Sequence, residues 1–381
     1  MDTWVEYSLG ELLSYEQPTA YTVESTDYND KYETPVLTAG KTFILGYTNE
    51  KQGIYDALPV IIFDDFTTAS QYVNFKFKVK SSAMKILKAD SELVLPKFIF
   101  YRMQIIKFDA STHKRYWIQH YSKIKVKIPP IPEQENIVTH IEELLSQLDA
   151  SVTELKTAKE RLKVYRQAVL KEAFEGDYPQ VQLKEISTAI SGYAFKSKLY
   201  TSDGKYVVVK IGNVKERHFE FSRDLTRTNE ADETILDKYL LQRGDCLITL
   251  TGSRGKRDYG FVTMIKDQTN YLLNQRVAAI RFNRKEAIPE FFQYYLASPS
   301  YRSAFFHYET GNVGQGNVGT KALTEPIVIL PNIEQQWRIV EEIESRLSVC
   351  DSIEKTVDTA LQQAEALRQS ILKKAFEGEM V

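Results

Sequence analysis

Apolar residues return at every seventh position in two separate stretches of the chain, 133–177 and 331–381. Ile141, Leu148, Leu155, Leu162 and Val169 form one series; Ile343, Cys350, Val357, Ala364 and Ile371 form the other. This spacing gathers apolar side chains into one stripe of an α-helix and leaves the charged positions between them in water. The neighbouring seam position is looser, with Leu144, Ser151, Ala158 and Tyr165 in the first stretch and Arg346, Ile353, Ala360 and Leu367 in the second. Ser151 set against Ile353, and Leu162 against Ala364, offer a small and a large side chain for interdigitation. The pattern predicts two helices of about 40 residues, each roughly 60 Å long.

The two helices are copies of one another. RQAVLKEAFEG (Arg166 to Gly176) and RQSILKKAFEG (Arg368 to Gly378) agree at eight of eleven positions. At the same offset of 202 residues, Ile137-Val138 matches Ile339-Val340, Ile141 matches Ile343 and Asp149 matches Asp351. Just upstream, IPPIPEQ (Ile128 to Gln134) answers ILPNIEQ (Ile329 to Gln335) with one residue of slack, so that the second helix is expected to start one residue out of step. Proline followed by carboxylates is a helix-start signal, and Gly176 and Gly378 suit the C′ position that ends a helix. Leu9-Gly10-Glu11-Leu12 also resembles Leu183-Lys184-Glu185-Ile186, so the block before each helix begins alike. Two equal units pair most simply about a two-fold axis. The helices should then run antiparallel, with the two chain termini close together.

The blocks themselves read as short strands and turns. FKFKVK (Phe75 to Lys80) alternates, placing Lys76, Lys78 and Lys80 on one face and Phe75, Phe77 and Val79 on the other; KIKVKI repeats the device with Lys123, Lys125 and Lys127. Lysines two residues apart on a strand lie about 6.6 Å from one another, near the phosphate spacing of a nucleic-acid strand. Protection of an edge strand by lysine is the other account. In the second block, GSRGKR (Gly252 to Arg257) follows an apolar strand as a glycine-punctuated basic loop. It is either a solvated hairpin tip or a segment suited to close approach to a groove, where arginine reads guanine and Asn274 or Gln275 reads adenine through paired hydrogen bonds.

Net charge is only −2, but it is unevenly sorted. Residues 1–65 hold 3 basic against 12 acidic residues, and residues 66–127 hold 13 against 3, an asymmetry that suggests polyanion-binding faces. A chain of 381 residues exceeds one typical core and should divide into several domains. The opening MDTWVEYS has neither a basic nor an apolar leader region, and the longest apolar runs, such as LPVIIF, fall far short of a membrane span; no leader and no membrane partner are expected. Cys246 and Cys350 have no partner spacing, which fits a reducing cytoplasm.

Catalytic patterns are missing from the sequence. GSRGKR lacks the spacing and hydroxyl of a phosphate loop, and His113, His120, His140, His218 and His307 are scattered without metal-ligand spacing. The glycines of GNVGQGNVG (Gly314, Gly316, Gly319) have no strand-turn-helix context for a dinucleotide. Asp64-Asp65 ends a strand without a nuclease partner and reads as a turn or polar contact.

Two dissimilar blocks, each followed by a Pro/Glu-Gln segment and a periodic helix ending in Leu-Lys-x-Ala-Phe-Glu-Gly, resemble the DNA-specificity subunit of type I restriction-modification systems. PPIPEQ, LKEAFEG, NIEQQ and LKKAFEG carry the likeness in the helices; TPVLTAG, IIFDDFTTAS, ISGYAFKS and GDCLITLTG carry it in the blocks. The resemblance implies an α+β fold of two mixed target-recognition domains, 1–132 and 178–330, separated by two long spacer helices, 133–177 and 331–381, in an antiparallel coiled coil with a pseudo-two-fold repeat. It implies a non-catalytic subunit that binds double-stranded DNA at a bipartite, asymmetric site, one half per domain, and docks modification and restriction subunits. No cofactor is expected on this chain; S-adenosylmethionine, ATP and Mg are expected on those partners. With the charge pattern, it nominates Lys41, Thr67, Thr68, Lys76, Lys78, Lys80, Tyr193, Lys196, Arg254, Lys256, Arg257, Asn274, Gln275 and Arg276 for DNA contact. A coiled-coil scaffold without nucleic acid, and a DNA-tethering protein without partner enzymes, are the alternatives.

Overall fold

The likeness between Leu9–Leu12 and Leu183–Ile186 marks the start of the same local build in each half of the chain. The computed structural model describes residues 4–40, 42–110, 114–221, 225–229, 231–267, 270–312 and 314–377. Lys41, His113 and Gly378 lie outside the described residues. The chain divides into two units, Met1–Lys156 with Asp358–Val381, and Thr157–Val357.

In the first unit, β1 (Val5–Ser8), α1 (Leu9–Leu12) and β2 (Leu13–Glu16) are followed by β3 (Thr34–Leu37), β4 (Ile44–Thr48), β5 (Val60–Asp64), β6 (Ser70–Val73), β7 (Lys78–Val79), β8 (Met84–Ala89), α2 (Pro96–Gln104) and β9 (Lys125–Ile128). The long helix α3 (Ile131–Ala173) follows and continues into the second unit. There, β10 (Gln180–Gln182), α4 (Leu183–Ile186), β11 (Ser187–Ser191), β12 (Tyr200–Thr201), β13 (Tyr206–Val209), β14 (Val214–Lys215), β15 (His218–Phe219), β16 (Arg227–Thr228) and α5 (Glu233–Tyr239) come first. They are followed by β17 (Cys246–Thr249), β18 (Thr251–Gly252), β19 (Val262–Met264), β20 (Tyr271–Leu273), β21 (Val277–Phe282), α6 (Pro289–Ala297), α7 (Pro299–His307), β22 (Gly316–Asn317), β23 (Ile327–Ile329) and the second long helix, α8 (Ile333–Phe376).

The two blocks share far more than the edges their sequences show. The first has an antiparallel sheet in the order β2-β8-β5-β6, the second one in the order β11-β21-β17-β19. These are the same order and the same directions. Each block also has a smaller sheet with one parallel pair, β3 with β7 and β13 with β20. Both faces of each main sheet are covered. Ile61 and Phe63 of β5 enter one core with Leu9, Phe98 and Ile141, while Val60 and Ile62 enter another with Leu37 and Phe77. In the second block Cys246 and Ile248 of β17 face one core and Leu247 the other. Burial on both faces explains why these strands read as unbroken apolar runs.

Within each unit a half of α3 packs against a half of α8, running antiparallel. Asp149 receives Arg368 in the first unit; Asp351 receives Arg166 in the second. The offset of 202 exchanges the two pairs, so residues matched by the repeat make the same ion pair in each unit. Glu354 adds a second acceptor to Arg166 at 2.7 Å, and Glu172 receives Arg346 at 2.9 Å. Ile141, Val169 and Ile343 are wholly buried, Leu148, Cys350, Val357, Ala364 and Ile371 nearly so, and Leu155 and Leu162 half-buried. An ion pair as exposed as Arg368 with Asp149 contributes about 0–1 kcal/mol, whereas each buried aliphatic contributes about 1.5–3 kcal/mol. The apolar stripe supplies the adhesion, and the charges select the register.

That register corrects the seam pairs read from sequence. Ser151 and Ile353 belong to different units and are both exposed; Leu162, half-buried, and Ala364, buried, also belong to different units. Residues separated by the offset are equivalent positions, whereas packed partners run in opposite directions along the helices, as the two ion pairs show. The expected slack at the helix starts is also absent, since Ile131 and Ile333 keep the offset of 202. The reason is a buried glutamine. Gln134 takes the Leu95 N–H at 2.8 Å and donates to the carbonyls of Leu93 and Pro129; Gln336 takes the Ile288 N–H at 2.9 Å and donates to those of Glu286 and Pro331. Both side chains are fully enclosed. Gln335, the residue first matched to Gln134, instead exchanges hydrogen bonds with Asn332 in a reciprocal cap. Proline occupies the corresponding position, 130, and cannot donate.

The repeated Ala-Phe-Glu-Gly phrase also has a packing role. Phe174 meets Phe291 and Tyr295 edge-on, and Phe376 meets Phe98 edge-on while the Arg102 guanidinium covers its face. Trp4 and Phe376 belong to one core, which brings both ends of the described chain into the first unit.

Candidate nucleic-acid interface

In the second unit, the sheet register places several nominated segments at one end of the main sheet. Ser191 at the end of β11 stands beside Ala278, Thr249 at the end of β17 beside Val277, and Ile248 beside Val262. The chain leaving β11 gives Tyr193, the chain leaving β17 gives the basic loop, and the chain entering β21 gives Asn274, Gln275 and Arg276. Backbone bonds tie them together. Tyr193 donates to Leu273 O at 2.9 Å and accepts from Gln275 N at 3.0 Å, while Leu250 N donates to Arg276 O at 3.0 Å. The Tyr193 ring packs against Phe195 and Tyr239. Gln275, Arg276 and Lys196 are exposed, and Asn274 is half-buried.

Gly192 is the pivot of this cluster. A Cβ there would overlap the carbonyl of Asn274 and crowd Gln275 N. Gly192→Ala should therefore displace the Asn274–Arg276 turn and cost about 1–3 kcal/mol, the range for overpacking; an unfolding midpoint equal to that of the parent chain would show that the two segments do not touch.

The basic loop is held in shape by its own polar groups. Asp258 accepts from Ser253 N at 2.7 Å, and these Ser253 hydrogen bonds hold its carboxyl below the usual range. Gly255 and Arg257 take positive φ values of 80° and 52°, and the Arg257 guanidinium stacks over Phe306 at 5.1 Å. Arg254, Lys256 and Arg257 are exposed, but Arg254 is also engaged, donating to Gly311 O at 2.7 Å. Strand β18 at the root of the loop pairs with β22 of the glycine-rich segment, so those glycines serve a strand pairing rather than a dinucleotide turn.

The first unit presents a matching end. Asp64 is opposite Met84, and the β5–β6 turn carries Thr67 and Thr68. The Asp64 carboxylate accepts from Phe66 N and Thr67 N, both at 2.9 Å, and Thr68 adopts φ 60°. Asp65 N donates to Ala83 O and Asp65 O accepts from Tyr116 N. In the second unit Leu250 makes the same two links, to Arg276 O and from Val318 N. The Ser81-Ser82-Ala83 turn thus corresponds to Asn274-Gln275-Arg276, a correspondence with no sequence signal.

The lysine strand does not form as the alternation suggested. Phe77, Lys78 and Val79 are all buried, and regular pairing covers only Lys78–Val79. Lys78 donates to Gln52 O at 2.6 Å and pairs with Glu50 at 2.9 Å, so it is withdrawn from any surface. The segment containing Glu50 and Gln52 covers what the pattern treated as a solvent face. Lys76 is exposed beside Asp56, and Lys80 is exposed over the Tyr28 ring. Lys125 and Lys127 are exposed on β9, with Lys125 paired to Glu6. Among the described residues no group of three or more His, Cys, Asp or Glu is placed to hold a metal, and no helix is long and apolar enough to cross a membrane.

Two α+β units built on one sheet plan, with two long helices shared between them, define an internally duplicated class of fold. A chain solved in work on complex assembly and conformational transition of the type I R-M system has this fold, with a TM-score of 0.72 at 17% identity over 99% of this chain and 98% of that one. The crystal structure of the HsdS subunit from Thermoanaerobacter tengcongensis gives 0.51, also at 17% identity, over 100% and 98%. Residues 1–164 and 175–363 match the type I restriction modification DNA specificity domain, and the chain belongs to that family. It is 47% identical over 174 residues to the Escherichia coli type I restriction enzyme EcoR124I/EcoR124II specificity subunit, covering 42% of this chain and 43% of that protein. It is 29% identical over 278 residues to the EcoKI specificity subunit of Escherichia coli strain K12, covering 68% and 58%. The matched regions thus span about half the length of these curated relatives.

Proposed function

We propose that this chain gives a type I restriction-modification assembly its DNA target. Residues 1–132 and 178–330 act as target-recognition domains, each reading one half of a bipartite, asymmetric site in double-stranded DNA. Residues 133–177 and 331–381 act as spacer helices that hold the halves in register and dock the modification and restriction subunits. The chain contributes no catalysis of its own; S-adenosylmethionine serves the modification subunits, and ATP with Mg serves the restriction subunits. The observation that carries this reading is one sheet plan used twice with different loops at the same end. Like scaffolds with unlike loops favour two unlike half-sites.

The test is selection from a random-sequence duplex library by the purified full chain. Two short conserved blocks separated by a fixed unspecified spacer are expected, with binding that falls steeply as salt rises. Enrichment of one uninterrupted block, or of nothing, would overturn the reading, and the latter result would favour a scaffold.

A further inference from the structure

The described residues 310–312 and 314–317 have no place in the contacts nominated from sequence, yet the second unit fastens them at several points. Thr310 and Asn317 exchange two backbone hydrogen bonds of 2.8 Å, and the Thr310 hydroxyl adds a third to Asn317 O at 3.1 Å. Strand β22 then lies alongside β18, with Asn317 opposite Thr251 and Gly316 opposite Gly252. The result is a hairpin fastened to the root of the basic loop.

Three side chains brace it from outside. Arg254 donates to Gly311 O at 2.7 Å, from the basic loop itself. Tyr259 is fully buried and donates its hydroxyl to Glu309 at 2.6 Å; burial and this bond push its phenol well above the ordinary range. Arg302 donates to Gly260 O at 2.6 Å and Tyr259 O at 3.1 Å, locking the segment that carries Tyr259 between the basic loop and β19. A Cβ on Gly316 would collide with the Glu309 carboxylate and the Tyr259 hydroxyl, so glycine there is required by the brace rather than by flexibility.

At the outer end, Gln315 is exposed, and its carboxamide has no hydrogen-bond partner among the described residues. Its backbone is fixed by a bond from Gln315 N to Asn312 O at 3.2 Å. A backbone bonded to Asn312 and continuous with the paired Gly316, presenting an unpaired primary amide, suits the reading of an adenine edge through paired donor and acceptor. Arg254, the first choice for reading guanine, already spends a donor inside the protein.

We propose that this hairpin is a base-reading element, with Gln315 presenting its carboxamide to an adenine and Arg254 serving as the positioning residue that holds it against the basic loop. The inference rests on the DNA-reading function above and assigns a specific base contact within it. In selection by the full chain, Gln315→Ala should lose preference for A·T at one position of one half-site, on the order of tenfold, leaving the other half-site unchanged. Arg254→Ala should broaden the same position, and the double variant should be no worse than the poorer single one, because the two act as a unit. Lys256→Ala, which removes charge without touching the hairpin, should weaken binding evenly across sequences. Circular dichroism and thermal unfolding of each variant establish that the fold is kept. An unchanged selected sequence with Gln315→Ala overturns the inference while leaving the proposed function standing. Loss of a different position with Arg254→Ala overturns the bracing role, and a parent chain that selects no sequence overturns both.

Discussion

Asp65→Ala should destabilise the chain by about 3–5 kcal/mol, the cost of leaving a buried charge without its partner. Asp65 and Lys85 meet at 3.4 Å with only 2% of either side chain exposed. Asp65 also accepts the Trp117 N–H at 2.8 Å, so its removal strands a backbone donor as well as an ammonium group. Asp65→Leu combined with Lys85→Met, which deletes both charges together, should restore much of the loss because neither group is then left unpaired. Urea unfolding of the single and double variants measures the difference. A loss below about 1 kcal/mol for the single change would mean that water reaches the pair, as it does in exposed ion pairs. The main-chain bonds of residue 65 to Ala83 O and from Tyr116 N do not depend on the side chain, so the loss is expected to come from the carboxylate alone.

Lengthening the helices should change the spacing of the selected DNA sequence. Seven residues add about 10.5 Å of helix and return the apolar stripe to nearly the same face. The insertion must be made twice, between Asp149 and Arg166 in α3 and between Asp351 and Arg368 in α8. Each ion pair joins one residue of α3 to one of α8, so lengthening one helix alone leaves its partner unmatched along the added stretch. At ~3.4 Å per base pair, the paired insertion should widen the unspecified spacer by about three base pairs while both half-sites keep their sequences. A spacer of unchanged length in the library selection would contradict the spacer role of the helices.

The helices were legible because a single helix face repeats locally. The positions matched at the offset of 202 included Asp149, Asp351, Arg166 and Arg368, which are the residues that pair. The remainder of the fold is set by contacts far apart in sequence. The common sheet order depends on pairings such as Leu13 with Ala89 and Ser187 with Phe282, between strands with no residue pattern in common. Lys78 looked exposed because alternation assumes an open face, and no local signal shows that Glu50 and Gln52 close it. The helix-start pattern matches Gln134 with Gln335, whereas the true equivalent is Gln336, because the enclosure of Gln134 and Gln336 depends on loops about 40 to 50 residues upstream. In the second unit the Tyr193 and Asn274–Arg276 segments do converge, whereas the pairing of Gly316-Asn317 with the root of the basic loop joins residues far apart in sequence and has no local signal.

The two buried glutamines hold nothing but main-chain atoms: an amide and two carbonyls in each unit. The loop they grip is Leu93 to Leu95 in one case and Glu286 to Ile288 in the other, and the grip is indifferent to that change. A socket that recognises the backbone alone places no demand on the identity of what is plugged into it. Under the proposed function, the two blocks can therefore diverge without renegotiating their attachment to the helices, and new DNA preferences become reachable without loss of the frame that carries them.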